Sequence, residues 1–265
     1  MSSEPITYSL EGPVALIDIN RPDKRNAISQ GMLREIRACV VRAGDEADVG
    51  LIYSHNEFFS AGLDLRELVE TLEAAAPLPR KRQRKVSHEV MDAIGRGPIP
   101  FVSAISGVCI GLGFELVAAT HIRVADETAY FGLPESQRGM FVGAGGSVNI
   151  QRLIGYSRMC DMMLTGRLMK AIDAERIGLV HYLTKPGEHL EKAKSIATQI
   201  ATNSPMSSWA VTNLLPRIGY LPHNDALFME ELTNANVRGA GSVERLRAFL
   251  DKRTPRLVPT DKKDQ

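Results

Sequence analysis

The chain has 265 residues, 44% hydrophobic and 24% charged, with 32 Lys and Arg against 31 Asp and Glu. That length can bury a substantial core in one large α/β domain or two smaller ones, and the balanced charge gives no global field favouring nucleic acid or an anionic membrane. Three widely spaced cysteines (Cys39, Cys109, Cys160) form no CxxC pair, which fits reduced thiols rather than a disulfide scaffold or a zinc site.

In chain order, "MSSEPITYSLEG" lacks the apolar centre of a signal peptide and the Arg-rich character of a transit peptide. No run approaches the ~18–20 apolar residues of a membrane span, so a cytoplasmic location is expected. "ITYSLEGPVALIDIN" reads as two strands broken at Gly12-Pro13, with Ala15, Ile17 and Ile19 alternating. "RPDKRNAIS" reads as a turn, and Ser29 is placed to cap a helix carrying Met32, Leu33, Ile36 and Val40. "VGLIYSH", "PFVSAIS" and "HIRVAD" read as strands. Between the last two, glycines at 107, 111 and 113 lead into a helix-like run containing Glu115. Past about residue 146 the pattern turns helical through "GSVNIQRLIGYSRMCDMMLTG", "DAERIGL", "LEKAKSIATQIATN" and "SPMSSWAVTNLLPRI". One further strand is expected in "LVHYLT", and the tail "TPRLVPTDKKDQ" reads as frayed.

Several signatures are missing. No G-x-x-x-x-G-K-[ST] occurs, no G-x-G-x-x-G opens a helix after a strand, "HEVMD" lacks the second His of a zincin, and "GGSVN" misses the last Gly of a nucleophile elbow. Three glycine-bearing stretches carry what chemistry remains. "FFSAGLDL" (58–65) follows a strand with a small-small-Gly turn and Asp64, a helix-cap candidate. "VCIGLGFELVAAT" (108–120) sets Glu115 among Phe114, Leu116 and Val117, where an unpartnered charge is costly. "FGLPESQRGMFVGAGGS" (131–147) supplies a second carboxylate, Glu135. Backbone N–H groups converging from the first two stretches are suited to an oxyanion hole. A structural ion pair at Glu115 is the competing reading.

In order and spacing, "NRPDKRNAIS", "FSAGLDL", "PIPFVSAISGVCIGLGFELVAATHIRVAD", "FGLPESQRGMFVGAGGS", "RLIG", "LTGR", "GLV" and "AFLDKR" resemble the crotonase (enoyl-CoA hydratase/isomerase) superfamily almost end to end. "FSAGLDL", "ELVAATHIRVAD" and "LPESQRGMFVGAGGSV" look most like the branch containing methylthioacryloyl-CoA hydratase. The resemblance implies an α/β fold of repeated ββα units, a core domain over residues 1–200 and a helical trimerisation region over 201–265. It implies a homotrimer or homohexamer, no permanently bound cofactor, and CoA as part of the substrate thioester.

The resemblance also assigns roles. Ala61 and Leu112 would lend N–H groups to the thioester oxygen, and Ala61, Gly62, Leu63 and Asp64 would run past the adenine. Glu115 and Glu135 match the two catalytic carboxylates of hydratases, with Glu115 holding the water and Glu135 serving the proton at C2. Gly143 matches a water-positioning N–H, Lys24 and Arg25 lie where the CoA phosphates pass, and Phe249 and Lys252 match residues that reach a neighbouring subunit's CoA.

Two departures stand out: Leu112 replaces a glycine, adding a side chain where substrate passes, and "MFVG" lacks the usual Pro. Met140, Phe141, Leu65, Leu68 and the helix near Met91 are candidates to line an apolar acyl pocket. The same scaffold also hosts hydratase-lyases, isomerases and thioester hydrolases. The basic run "RKRQRK" (80–85) reads as a solvated face, with an acidic acyl group, CoA phosphate or RNA as the functional alternatives. The near-zero net charge disfavours RNA.

Overall fold

The computed structural model of the chain describes residues 4–74, 85–238 and 241–251. The first two strands, β1 (Ile6–Glu11) and β2 (Val14–Ile19), form an antiparallel hairpin turning at Gly12, whose φ is +57°. α1 (Gln30–Glu46) begins where Ser29 Oγ accepts the Met32 N–H, and its Met32, Leu33, Ile36, Val40 and Ala43 are buried. β3 (Val49–Tyr53) then pairs parallel to β2. After α2 (Leu65–Glu73) and α3 (Val86–Arg96), β4 (Phe101–Ile105) joins parallel to β3.

The glycine-rich stretch that follows makes a second, smaller sheet. β5 (Val108–Ile110) precedes α4 (Leu112–Ala119), and β6 (Ile122–Asp126) returns to the main sheet beside β4. β7 (Tyr130–Gly132) then pairs parallel to β5. The helical stretch after residue 146 forms two helices, α5 (Gly146–Ile154) and α6 (Tyr156–Thr165). Gly155, at φ +82°, breaks them, a backbone state that side-chain-bearing residues resist. β8 (Met169–Lys170), α7 (Ala171–Arg176), β9 (Tyr182–Thr184), α8 (His189–Ala201) and α9 (Pro205–Asn213) follow. The strand orders are β1-β2-β3-β4-β6-β9 and β5-β7-β8.

One core cluster lies between the main sheet and helices including α1, α3 and α4, with Ile17, Ile36, Ile52, Ile94, Phe101, Phe114 and Phe131 in it. The other face of the sheet packs Leu16, Leu51, Val102 and Val124 against Ala193, Ile196 and Ala197 of α8. α4 is buried along its whole length, so its one carboxylate, Glu115, is buried with it. Just beyond its far end, Phe101 N–H donates to His121 Nδ1 at 3.0 Å, and burial, with Arg123 adding, pushes the His121 pKa down to about 4. Cys109 is likewise buried and its thiol pushed well up, as suits packing rather than nucleophilic attack.

The chain divides into two compact units, Met1–Asn213 and Leu214–Gln265. The second contains α10 (Leu215–Ile218), α11 (His223–Val237) and α12 (Ser242–Leu250). Among the described residues, no helix is long and apolar enough to cross a membrane.

Candidate active site

Glu115 sits in the first turn of α4, held there by a hydrogen bond from its own N–H to the Gly111 carbonyl (2.8 Å). Its carboxylate is only 4% exposed and accepts backbone N–H groups from the loop that opens α5. Oε2 takes two short bonds, from Ala144 and Gly146, both at 2.7 Å. Oε1 takes only a long one, from Gly143 at 3.4 Å, so it keeps acceptor capacity. A Cβ on Gly146 would stand 2.7 Å from Glu115 Cγ and Oε2, so glycine is required for the loop to close on the carboxylate.

Glu135 approaches the same place with far fewer partners. It precedes the short 3-10 turn Ser136–Arg138, which closes at Gly139 with φ +67°. One carboxyl oxygen, Oε1, lies 2.8 Å from where a Cβ on Gly111 would be, and Gly111 itself has φ +54°. The other, Oε2, is buried with no hydrogen-bond partner among the described residues. Burial raises the Glu135 pKa above the ordinary carboxylate value, and the nearby charge of Glu115 adds to the rise. The two carboxylates expected to work together are therefore brought together, in opposite states of saturation.

The loop 59–64 runs beside β5. Ser60 N–H donates to Val108 O (2.8 Å), and Ile110 N–H to Ser60 O (3.1 Å). Two residues on, Ile28 N–H donates to Gly62 O (2.7 Å) and Asp64 N–H to Ile28 O (2.9 Å). In that parallel bridge the N–H of Leu63 points to the opposite side, and it has no partner among the described residues. On Gly62's own Cβ side stand Ile110 O at 2.9 Å and Leu112 N at 3.6 Å. Leu112 is the first residue of α4, so the helix makes no use of its N–H either.

This corrects one expectation. Ala61 N–H is not free for an oxyanion, because it donates to Arg25 O at 2.9 Å; the unengaged donors are Leu63 and Leu112. The Leu112 side chain is 7% exposed and packs in the core cluster.

A polar network missed in the sequence holds this loop. Arg25 and Asn26 adopt φ +50° and +54°, a left-handed pair without glycine. Asn26 is fully buried, and its Nδ2 donates to Ser54 Oγ (2.8 Å) and Phe59 O (3.0 Å). Ser60 Oγ donates to Asn26 O (2.7 Å) and accepts Gly62 N–H (3.1 Å). The signal available was an Asn inside "DKRNAI", since Asn tolerates the left-handed region better than most residues.

Asp64 caps α2 through Arg66 and Glu67 N–H. It also pairs with Arg21 at 2.9 Å and Lys24 at 3.4 Å. Its pKa stays below the usual value because these bonds outweigh the upward push of burial. Lys24 and Arg25 thus do meet residues 61–64 at an exposed rim. Among the acyl-pocket candidates, Leu65 lies with Arg66, Val69 and Glu70 on an open, shallow surface of α2, while Met91 belongs to the core and Phe141 is exposed. Phe249 lies on α12 of the second unit. Lys252 and residues 80–84 of the basic run lie outside the described residues; Lys85 lies within them.

Comparison with known proteins places this geometry in context. The family profile described as enoyl-CoA hydratase/isomerase matches residues 9–257. A mevalonyl-coenzyme A hydratase of Aspergillus fumigatus is 34% identical over 267 residues, covering 93% of this chain and 92% of its own. Enoyl-CoA hydratase EchA19 of Mycobacterium tuberculosis is 29% identical over 250 residues, covering 92% of each. The solved structure of an enoyl-CoA hydratase from Bacillus anthracis superposes with a TM-score of 0.85 at 28% identity, covering 96% of this chain and 98% of that one.

Proposed function

The chain belongs to the enoyl-CoA hydratase/isomerase family, and on that premise we propose that it adds water across the C2=C3 bond of an α,β-unsaturated acyl-CoA thioester. The observation that carries this reading is the paired carboxylate arrangement: Glu115 anchored by three backbone N–H groups beside Glu135, whose buried Oε2 has no partner among the described residues.

Glu115 Oε1, with spare acceptor capacity, holds the water through one O–H, and the nearby Gly143 N–H orients it. The water oxygen bonds to C3 while its proton passes to Glu115. The C=C electron pair moves toward C2 and the thioester oxygen, where negative charge collects. The N–H groups of Leu63 and Leu112 receive that charge; fixed donors need no reorganisation, and one is typically worth about 3–4 kcal/mol in barrier. Protonated Glu135 then gives its proton to C2. Its raised pKa suits a general acid, because the acid form persists closer to neutral pH. Solvent exchange returns both carboxyls to their starting states.

CoA enters as part of the substrate. Lys24 and Arg25, exposed beside residues 61–64, form its phosphate-side rim in this reading. Exposed Phe228, Leu232 and Phe249 of the second unit support assembly into a homotrimer or homohexamer, checked by sedimentation.

The test is loss of conjugated-thioester ultraviolet absorbance with crotonyl-CoA. Turnover by wild type that drops by orders of magnitude in Glu115→Gln and in Glu135→Gln supports hydration. No turnover of any enoyl-CoA by protein that binds CoA overturns it.

A further inference from the structure

Lys85 is exposed, and its ammonium comes close to the loop that holds Glu115. It is the N-cap residue of α3, makes no side-chain cap bond, and sets a cation at the positive end of the helix dipole, where cations are disfavoured. The acid in that helix's first turn, Glu89, is already paired with Arg37 of α1 at 2.9 Å. No carboxylate among the described residues pairs with Lys85. Its ammonium instead lies 3.8 Å from where a Cβ on Gly143 would stand. Gly143 is the residue whose N–H reaches the open oxygen of Glu115.

The Glu115 carboxylate already occupies this site, so a second negative group brought by a substrate would be repelled unless a cation met it. Resting on the hydratase reading above, we infer that Lys85 selects substrates whose acyl chain carries a carboxylate beyond C3. In that arrangement C3 faces the water on Glu115, and the chain continues past Gly143 to the Lys85 ammonium. The substrate class is an enoyl-CoA made from a dicarboxylic acid, such as glutaconyl-CoA, in preference to an uncharged chain of similar length.

Binding of saturated thioesters tests this without requiring turnover. Dissociation constants for glutaryl-CoA and butyryl-CoA are measured on wild type, Lys85→Met and Lys85→Arg. Wild type is expected to favour glutaryl-CoA. Lys85→Met should reduce that preference about tenfold, the scale of one charge-assisted hydrogen bond, and Lys85→Arg should keep most of it. The preference should also shrink as salt rises. A wild type that prefers butyryl-CoA, or an equal preference in wild type and Lys85→Met, overturns the inference. Lys85→Met lowering both affinities by one factor overturns it as well, since that is a loss of general binding. Failure of the hydratase reading shows separately, as no turnover of either crotonyl-CoA or glutaconyl-CoA.

Discussion

The surroundings of the two glutamates differ more than their shared chemistry suggests. Around Glu115 the chain supplies everything: three N–H groups from residues 143–146, a glycine that lets the loop close, and a helix that fixes the Cα. Around Glu135 it supplies burial and little else, leaving Oε2 without a partner among the described residues. A carboxylate saturated on one oxygen is a fixed acceptor, suited to orienting a water. A buried carboxyl short of partners is biased toward its protonated form, suited to delivering a proton. In the proposed mechanism, the difference divides the labour of hydration between two identical side chains.

The strongest way to break that division is to remove either carboxylate. Glu115→Gln and Glu135→Gln should each lower kcat for crotonyl-CoA by about 10²–10⁴-fold. Next comes Leu112→Pro, which deletes one oxyanion donor at a position where a helix tolerates proline, and should cost about 10²–10³-fold in kcat. Circular dichroism on the same protein separates this from misfolding. Gly146→Ala places a Cβ 2.7 Å from the Glu115 carboxylate. It should disturb the water-holding side alone, costing ~10²-fold in hydration while leaving the Glu135-dependent limb of the pH profile in place.

Smaller effects sharpen the contrast through pH. Activity that needs protonated Glu135 should fall as pH rises through its raised pKa, and the aspartate variant, Glu135→Asp, should move that limb. The same shift carries a stability cost. A carboxyl whose folded pKa is raised stabilises the fold only at low pH, so Glu135→Gln should raise Tm slightly at neutral pH, with the gain vanishing below about pH 4. His121 acts with the opposite pH dependence. Its pKa is pushed down to about 4 in the fold, so stability is complete above about 6.5 and is lost as pH falls toward 4. Thermal melts across that window should show acid destabilisation that His121→Gln flattens.

Both glutamates were legible because a lone acid in an apolar run and an acid before a glycine-rich loop are local patterns, and the family resemblance fixed their pairing. The main strands and α1 were legible for the same reason, through alternation and helical spacing. What stayed hidden depends on contacts between distant segments. The choice of Leu63 over Ala61 as a donor follows from the bridge of Ile28 with Gly62 and Asp64, which no local pattern encodes. The inward turn of Leu112 depends on how α4 packs, and β5 and β7, three residues each, are too short to announce a period. Asp64 was legible as a cap, but its pairs with Arg21 and Lys24 span about 40 residues of sequence.

The most direct test of the division between the glutamates is exchange of the α-protons of butyryl-CoA in deuterated water, followed by NMR. This saturated thioester needs a proton-transfer group at C2 and the oxyanion donors, but no attacking water. Exchange is expected with wild type and with Glu115→Gln, and none with Glu135→Gln. Exchange lost in Glu115→Gln and retained in Glu135→Gln would contradict that division.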